Sequence, residues 1–285
     1  LKALLNRLTP ARWRKRTVTI PVLRLHGAIM SGGSQFRPAL NLASTAGLIE
    51  KAFAIDAPAV AVSVNSPGGS PVQARLIYKR IRDLAEEKNR LVLVFTEDLA
   101  ASGGYMIAVA GDEIIADPSS IVGSIGVVSA SFGFVDAIKK IGVERRVHTA
   151  GKNKAVLDPF RPERPEDVEH LKQLQTEVHQ TFIDLVKSRR GSRLKDDPDL
   201  FTGMFWSGKS AMDLGLVDAL GDMRSTIKAR YGEKAELKLI TQPRGFFSRF
   251  KLFGSRINPA EMFAGAADGL MTAAEERALW SRFGL

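Results

Sequence analysis

The chain has 285 residues, 41 Lys and Arg against 31 Asp and Glu, 45% apolar residues and no cysteine. Disulfides, thiolate metal sites and a cysteine nucleophile are excluded, and four scattered histidines (His26, His148, His170 and His179) give no expectation of a metal. The net charge of +10 invites an acidic partner, yet residues 50–241 carry 27 charges of each sign and the surplus sits in the two ends, so nucleic acid is not expected.

In chain order, residues 1–16 (LKALLNRLTPARWRKR) form a basic arm without the apolar core of a secretory signal. No segment reaches the roughly 18 apolar residues of a membrane span. Two readings of the arm stand: a solvated end, or an amphipathic segment that lays Leu and Trp13 on lipid while Arg and Lys meet anionic headgroups. A cytoplasmic location, or one peripheral to the inner membrane, is the expectation, and the opening Leu leaves room for residues upstream.

Alternating β-branched residues predict a strand over Thr17–Leu25, and helical spacing follows over Asn41–Ala54. AVAVSVN from Ala59 is a continuous apolar run of the kind that forms buried parallel strands. A helix is then predicted from Pro71 to about Lys88, a strand at LVLVFT from Leu91, a helix from Ser102 and a strand at EIIA. Further strands are predicted near GSIGVVSA and at RRVHTA, with a helix around Asp136 between them. PERPEDVEHLKQLQTEVHQTFIDLVKSRR reads as one long helix with Pro165 in its first turn. The expectation is an α/β body to about residue 160 and a mostly helical extension after it, together one unit over 17–241. The tail 242–285 sets Phe246, Phe247, Phe250, Leu252 and Phe253 among Arg and Lys, for docking on a neighbouring subunit or on lipid.

Gly203 to Ser210 satisfies the phosphate-loop pattern letter for letter. Its context argues against it, because a phosphate loop follows a buried strand, whereas this stretch follows the polar DDPDLFT and holds Met204, Phe205 and Trp206. AASGGY (Ala100–Tyr105) places Ser102 at a strand-to-helix turn, with Gly103 and Gly104 allowing close backbone approach to a reacting carbonyl. Taken in isolation, ASGG reads as a helix N-cap serine followed by glycines, and its company changes that reading. NSPGGS (Asn65–Ser70) occupies the same position in the preceding β-α unit. The two turns are therefore expected side by side at the carboxyl edge of a parallel sheet, with Gly68 and Gly69 offering backbone donors opposite Ser102. A nucleophilic serine needs a proton acceptor. A nucleophile-elbow reading calls on His148, His170 or His179; a serine–lysine reading calls on Lys152 or Lys154 in AGKNKAVLDPF, since burial and a nearby positive charge lower a lysine's pKa.

Taken together, AVSVNSPGGS, DLAASGGYMIAVAGDEIIADPSSIVGSIGVV, GKNKAVLDPF and FWSGKSAMDLGLVDALGD resemble the signal peptide peptidase A family of serine peptidases, family S49, in order from about Thr17 to Ile240. The resemblance implies an α/β fold of Clp protease/crotonase-like repeated β-β-α units with a helical C-terminal extension. It implies Ser102 as nucleophile, Lys154 as general base and Ser124 as the residue that orients the lysine. Gly69 and Gly103 would form the oxyanion hole, Gly68 would contact substrate, and no cofactor or metal would take part. Hydrophobic peptides, such as signal-peptide remnants or misfolded proteins, are the implied substrates. The implied assembly is a homo-oligomeric ring resembling an octameric dome, in which serine and lysine of one site come from adjacent subunits. Asn153 departs from the aromatic residue that often precedes the lysine, and the membrane anchor of many members has only the basic arm as counterpart. Two alternatives share the sequence pattern: a crotonase-type acyl-CoA enzyme and a non-catalytic scaffold at a membrane.

Overall fold

The structure is a computed structural model that describes residues 17–32, 39–241, 273–274 and 276–285. Most of both charged ends, including Trp13 and the Phe246–Phe253 cluster, lies outside the described residues. The chain runs β1 (Thr19–His26), α1 (Leu42–Phe53), β2 (Ala59–Ser66), α2 (Pro71–Lys88), β3 (Leu91–Ala101), α3 (Gly103–Ala108), β4 (Glu113–Ala116) and β5 (Ile121–Gly123). It continues through α4 (Val135–Lys140), α5 (Pro165–Arg190), β6 (Phe205–Ser207), α6 (Gly208–Asp213), β7 (Ala219–Leu220), α7 (Met223–Tyr231) and β8 (Glu236–Leu239). The strands form one sheet in the order β6-β5-β3-β2-β1-β8, with β4 and β7 branching from β3. All pairings are parallel except β5 with β6.

Local signals place the helices. Asn41 caps α1 through a capping box with Ser44, and Ser70 caps α2 with Pro71 in its first turn. Asn89 ends α2 in the left-handed conformation at φ 49°. The unbroken apolar run of β2 is buried on both faces, as parallel strands require. Val60, Val62, Val64, Val92 and Val94 pack under Ile49, Ile77, Ile107, Phe182 and Val186 from the helices. On the opposite face Ala59, Ala61, Leu93 and Phe95 meet Ile20, Val22, Ile115 and Ile227. Each large aliphatic or aromatic side chain buried this way contributes about 1.5–3 kcal/mol.

β3 serves two neighbours, and this aims the chain at the site. Its first half pairs with β4 from Leu93 to Thr96, and its second half pairs with β5 from Leu99 to Ala101. Between the halves the register against β2 jumps from Val64↔Thr96 to Ser66↔Ala100. Asn65 fills the resulting bulge: its Nδ2 donates to Asp98 at 2.7 Å and its Oδ1 accepts from the Leu99 amide at 3.1 Å. The end of β3 is thereby turned onto β5, where the Ser102 amide donates to the Gly123 carbonyl at 2.8 Å.

Two expectations need correction. RRVHTA forms no strand; residues 145–150 run irregularly and almost entirely in solvent, without the layer that would bury an apolar face. Only the first residue of GSIGVVSA belongs to β5, and the chain leaves the sheet at Ser124, where φ is 54°. The stretch after residue 160 is mostly helical, as expected, through α5, α6 and α7, and it also supplies the short strands β6, β7 and β8, the last pairing with β1. Arg190 and Asp218 tie this return to the body: the guanidinium donates to Asp218 at 2.8 and 3.0 Å and to the Gly215 carbonyl at 2.7 and 2.9 Å. Asp218 Oδ2 also accepts from the Ile114 amide of β4 at 2.7 Å. No helix among the described residues is long and apolar enough to cross a membrane.

Candidate active site

Ser102 stands between β3 and α3 with φ 53° and ψ −122°, a conformation that non-glycine residues adopt only under constraint. Its side chain makes no capping hydrogen bond, so the N-cap explanation of this serine does not hold. The two glycine turns meet as expected. A Cβ on Gly68, at φ 93°, would lie 2.7 Å from the Gly103 nitrogen and 2.8 Å from the Ser102 Cβ. Gly69, at φ 132°, is pinned by Ile29, whose carbonyl would be 2.1 Å from an added Cβ. The Ile29 amide donates to the Gly68 carbonyl at 2.8 Å, and the Ile29 carbonyl accepts from Ser70 at 2.7 Å. The Gly68 amide is engaged by Ser66 Oγ at 3.2 Å, whereas those of Gly69 and Gly103 have no acceptor among the described residues.

Ser102, Gly69, Gly103 and Ser124 line one cleft of about 480 Å³, a volume within the usual range for ligand pockets. Ser124 is nearly buried at 6% exposure, and its amide donates to the Met204 carbonyl at 2.7 Å. Met106 and Phe182 supply an apolar floor from α3 and α5. Gly68 packs directly behind Ser102 without lining the cleft. Lys154 is not brought to it. It lies exposed in a turn of the excursion between β5 and α5. That excursion leaves Phe132 80% and Ile141 74% exposed.

None of the four histidines lines the cleft. His148 and His170 are exposed, and His179 Nε2 lies 3.0 Å from the Ile125 carbonyl. His26 sits over the other face of the sheet, with Nε2 2.7 Å from Ser63 Oγ, which in turn donates to Glu97 at 2.5 Å. Burial lowers the pKa of His26, against the opposing pull of Glu97. No carboxylate lines the cleft among the described residues, so the acids that an acyl-CoA enzyme poises over its thioester have no counterpart there. The phosphate-loop look-alike is structural: an added Cβ on Gly208 would lie 2.0 Å from the Asp117 carbonyl, leaving no room for an anion, and Phe205–Ser207 pairs with β5. Sequence reasoning missed Leu279 and Arg282, which line the cleft from a far segment. Nothing in their local pattern announces this, because they meet residues far away in the chain, Ser102 and Ser124 among them.

The sequence model described as peptidase family S49 matches residues 85–238, a span that includes Ser102, Ser124 and Lys154. A protein of Brucella abortus named Na(+)/H(+) antiporter NhaA is 63% identical over all of this chain and 39% of its own length. A putative protease of Synechocystis is 32% identical over 67% of this chain and 71% of its own length. Protease 4 of Salmonella typhi is 32% identical over 77% of this chain and 35% of its own. The chain thus spans about two fifths of the Brucella relatives it matches.

Proposed function

The chain belongs to peptidase family S49, with that family's ClpP/crotonase-like α/β fold, and from this premise we propose that it is a serine peptidase working through Ser102 and Lys154. The observation that carries the reading is Ser102 held at φ 53° in a cleft beside the unengaged amides of Gly69 and Gly103. The antiporter name of the Brucella relatives adds nothing to this reading, since the match to family S49 falls on the residues that carry the site.

In the proposed reaction, Lys154 Nζ accepts the Ser102 proton as Oγ bonds to a peptide carbonyl carbon. The carbonyl oxygen takes the negative charge and rests on the Gly69 and Gly103 amides. Collapse breaks the C–N bond, and the leaving amine takes the proton from Lys154. Water then repeats the sequence against the acyl ester and frees Ser102. Ser124, in the same cleft, hydrogen-bonds and orients the incoming lysine. Hydrophobic peptides, including signal-peptide remnants and segments of misfolded proteins, suit the Met106 and Phe182 floor.

Lys154 reaches Ser102 from a neighbouring copy in a homo-oligomeric ring. Two observations support this. The lysine is exposed and outside its own chain's cleft, and the excursion that bears it exposes Val128, Phe132, Ile141 and Val143, apolar surface that an adjoining subunit would cover.

Labelling with a fluorophosphonate, read by mass spectrometry, tests the assignment. Ser102 is expected to be modified. Ser102→Ala and Lys154→Ala are each expected to lower peptide turnover by about 10⁴-fold or more. An unlabelled Ser102, under conditions where a known serine peptidase reacts, supports the scaffold instead.

A further inference from the structure

The cleft at Ser102 has a wall that comes from far along the chain. Leu279 and Arg282 line it, and they belong to a last segment whose residues 276–281 are helical. The segment is anchored by its adjacent face. Phe283 is 9% exposed and packs with Trp280 on Leu99, Ala101 and Ile121 at the end of β3 and the start of β5. The Phe283 ring also meets Phe205 edge to face at 5.0 Å between centroids. Leu279 and Arg282 thus face the cleft, while their neighbours Trp280 and Phe283 dock on the strand ends.

Arg282 is the sole charged residue among the described residues lining that cleft. No carboxylate among the described residues forms an ion pair with it. Its contact is with the Phe283 ring, 6.0 Å from guanidinium carbon to centroid, the outer limit for such an interaction. Phe283 is already held from its other sides, so this contact does not account for an arginine. A planar, charged fork at the rim of a cleft lined otherwise by apolar, glycine and hydroxyl residues suits a pair of anionic oxygens, and on a peptide substrate that group is a carboxylate. We propose that Arg282 is a specificity determinant that binds a carboxylate of the peptide substrate, either an acidic side chain or the substrate's own chain end. The proposal rests on the serine-peptidase reading and adds a charge preference to it.

The test uses quenched fluorescent peptides in matched pairs, with Glu or Gln stepped through the positions around the cut and each made as free acid and as amide. One carboxylate position is expected to raise kcat/KM about fivefold at low salt, the size of a single exposed ion pair. The preference is expected to shrink toward unity at 1 M NaCl. A preference that follows Glu identifies a side chain; one that follows acid over amide identifies the chain end. Arg282→Gln is expected to level the ratio and Arg282→Glu to invert it, while Arg277→Gln, outside the cleft lining on the same segment, keeps it. Equal rates across every pair, or a preference that survives both Arg282 variants, overturns the proposal. The same pairs titrated against the Ser102→Ala protein by fluorescence anisotropy read the preference without turnover. Loss of the peptidase reading, marked by an unlabelled Ser102, therefore stays distinct from loss of the carboxylate preference.

Discussion

Ser102 carries its conformation at a cost. A non-glycine residue at φ 53° and ψ −122° stores about 1–3 kcal/mol, which the surrounding turn must offset. Ser102→Gly should therefore raise stability by about 1 kcal/mol, seen as a higher urea midpoint, while fluorophosphonate labelling disappears. An unchanged or lower midpoint would mean that the backbone there is not strained. The serine, its glycine neighbours and the facing NSPGGS turn were all legible in the sequence, because turn residues after apolar runs mark the carboxyl edge of a parallel sheet. Whether Ser102 capped a helix or stood free was not legible. That depends on a positive φ imposed by the contacts of Gly68 behind it and Gly123 beside it.

At the scale of elements, the long apolar runs declared themselves and the short pieces did not. β2, α2 and α5 lie where periodicity puts them, since each has enough residues to show its buried face. β6, β7 and β8 have only two to four residues each, and their strand state comes from the neighbours they pair with. RRVHTA fails in the opposite sense: it has β-branched character but no sheet beside it. The return of the chain after α5 hangs on Arg190, 2% exposed, and Asp218, 16% exposed at their side chains. Burial alone would raise the Asp218 pKa, but the hydrogen bonds from Arg190 and from the Ile114 amide outweigh it and hold the carboxyl below its usual range. Asp218→Asn leaves a buried guanidinium without its counter-charge and should cost about 3–5 kcal/mol in urea denaturation at pH 7. Because the folded-state value is depressed, this contribution is fully present above the ordinary 3.8 and is lost as pH falls through the lower folded value. The gap between wild type and variant should accordingly narrow in acid; a gap independent of pH would assign the loss to packing.

For the whole molecule, the proposed ring makes a prediction that no single chain can satisfy. Ser102→Ala and Lys154→Ala proteins, inactive alone, should regain activity when assembled together. Random mixing of equal amounts leaves about a quarter of the sites with both groups intact. Recovery near that level, with the assembly size confirmed by analytical ultracentrifugation, supports a site shared between copies. No recovery in verified mixed assemblies would place both groups in one chain. The exposed Phe132 and Ile141 belong to this scale, since the proposed ring would take side chains of that size out of water.

Three things followed from the sequence by itself: a parallel α/β body, the two glycine turns with their serine, and the neutrality of the segment that holds them. Each is written in local order, as hydrophobic period, turn chemistry or charge count, and needs no distant partner to be read. Only the tertiary structure decided that Lys154 stands apart from Ser102 in its own chain, that no histidine lines the cleft, and that Leu279 and Arg282 do. These are spatial relations between residues tens to nearly two hundred positions apart. No local period encodes them; they arise when β3 is redirected by its irregularity opposite Asn65 of β2 and the last segment docks through Phe283 onto the strand end beyond it.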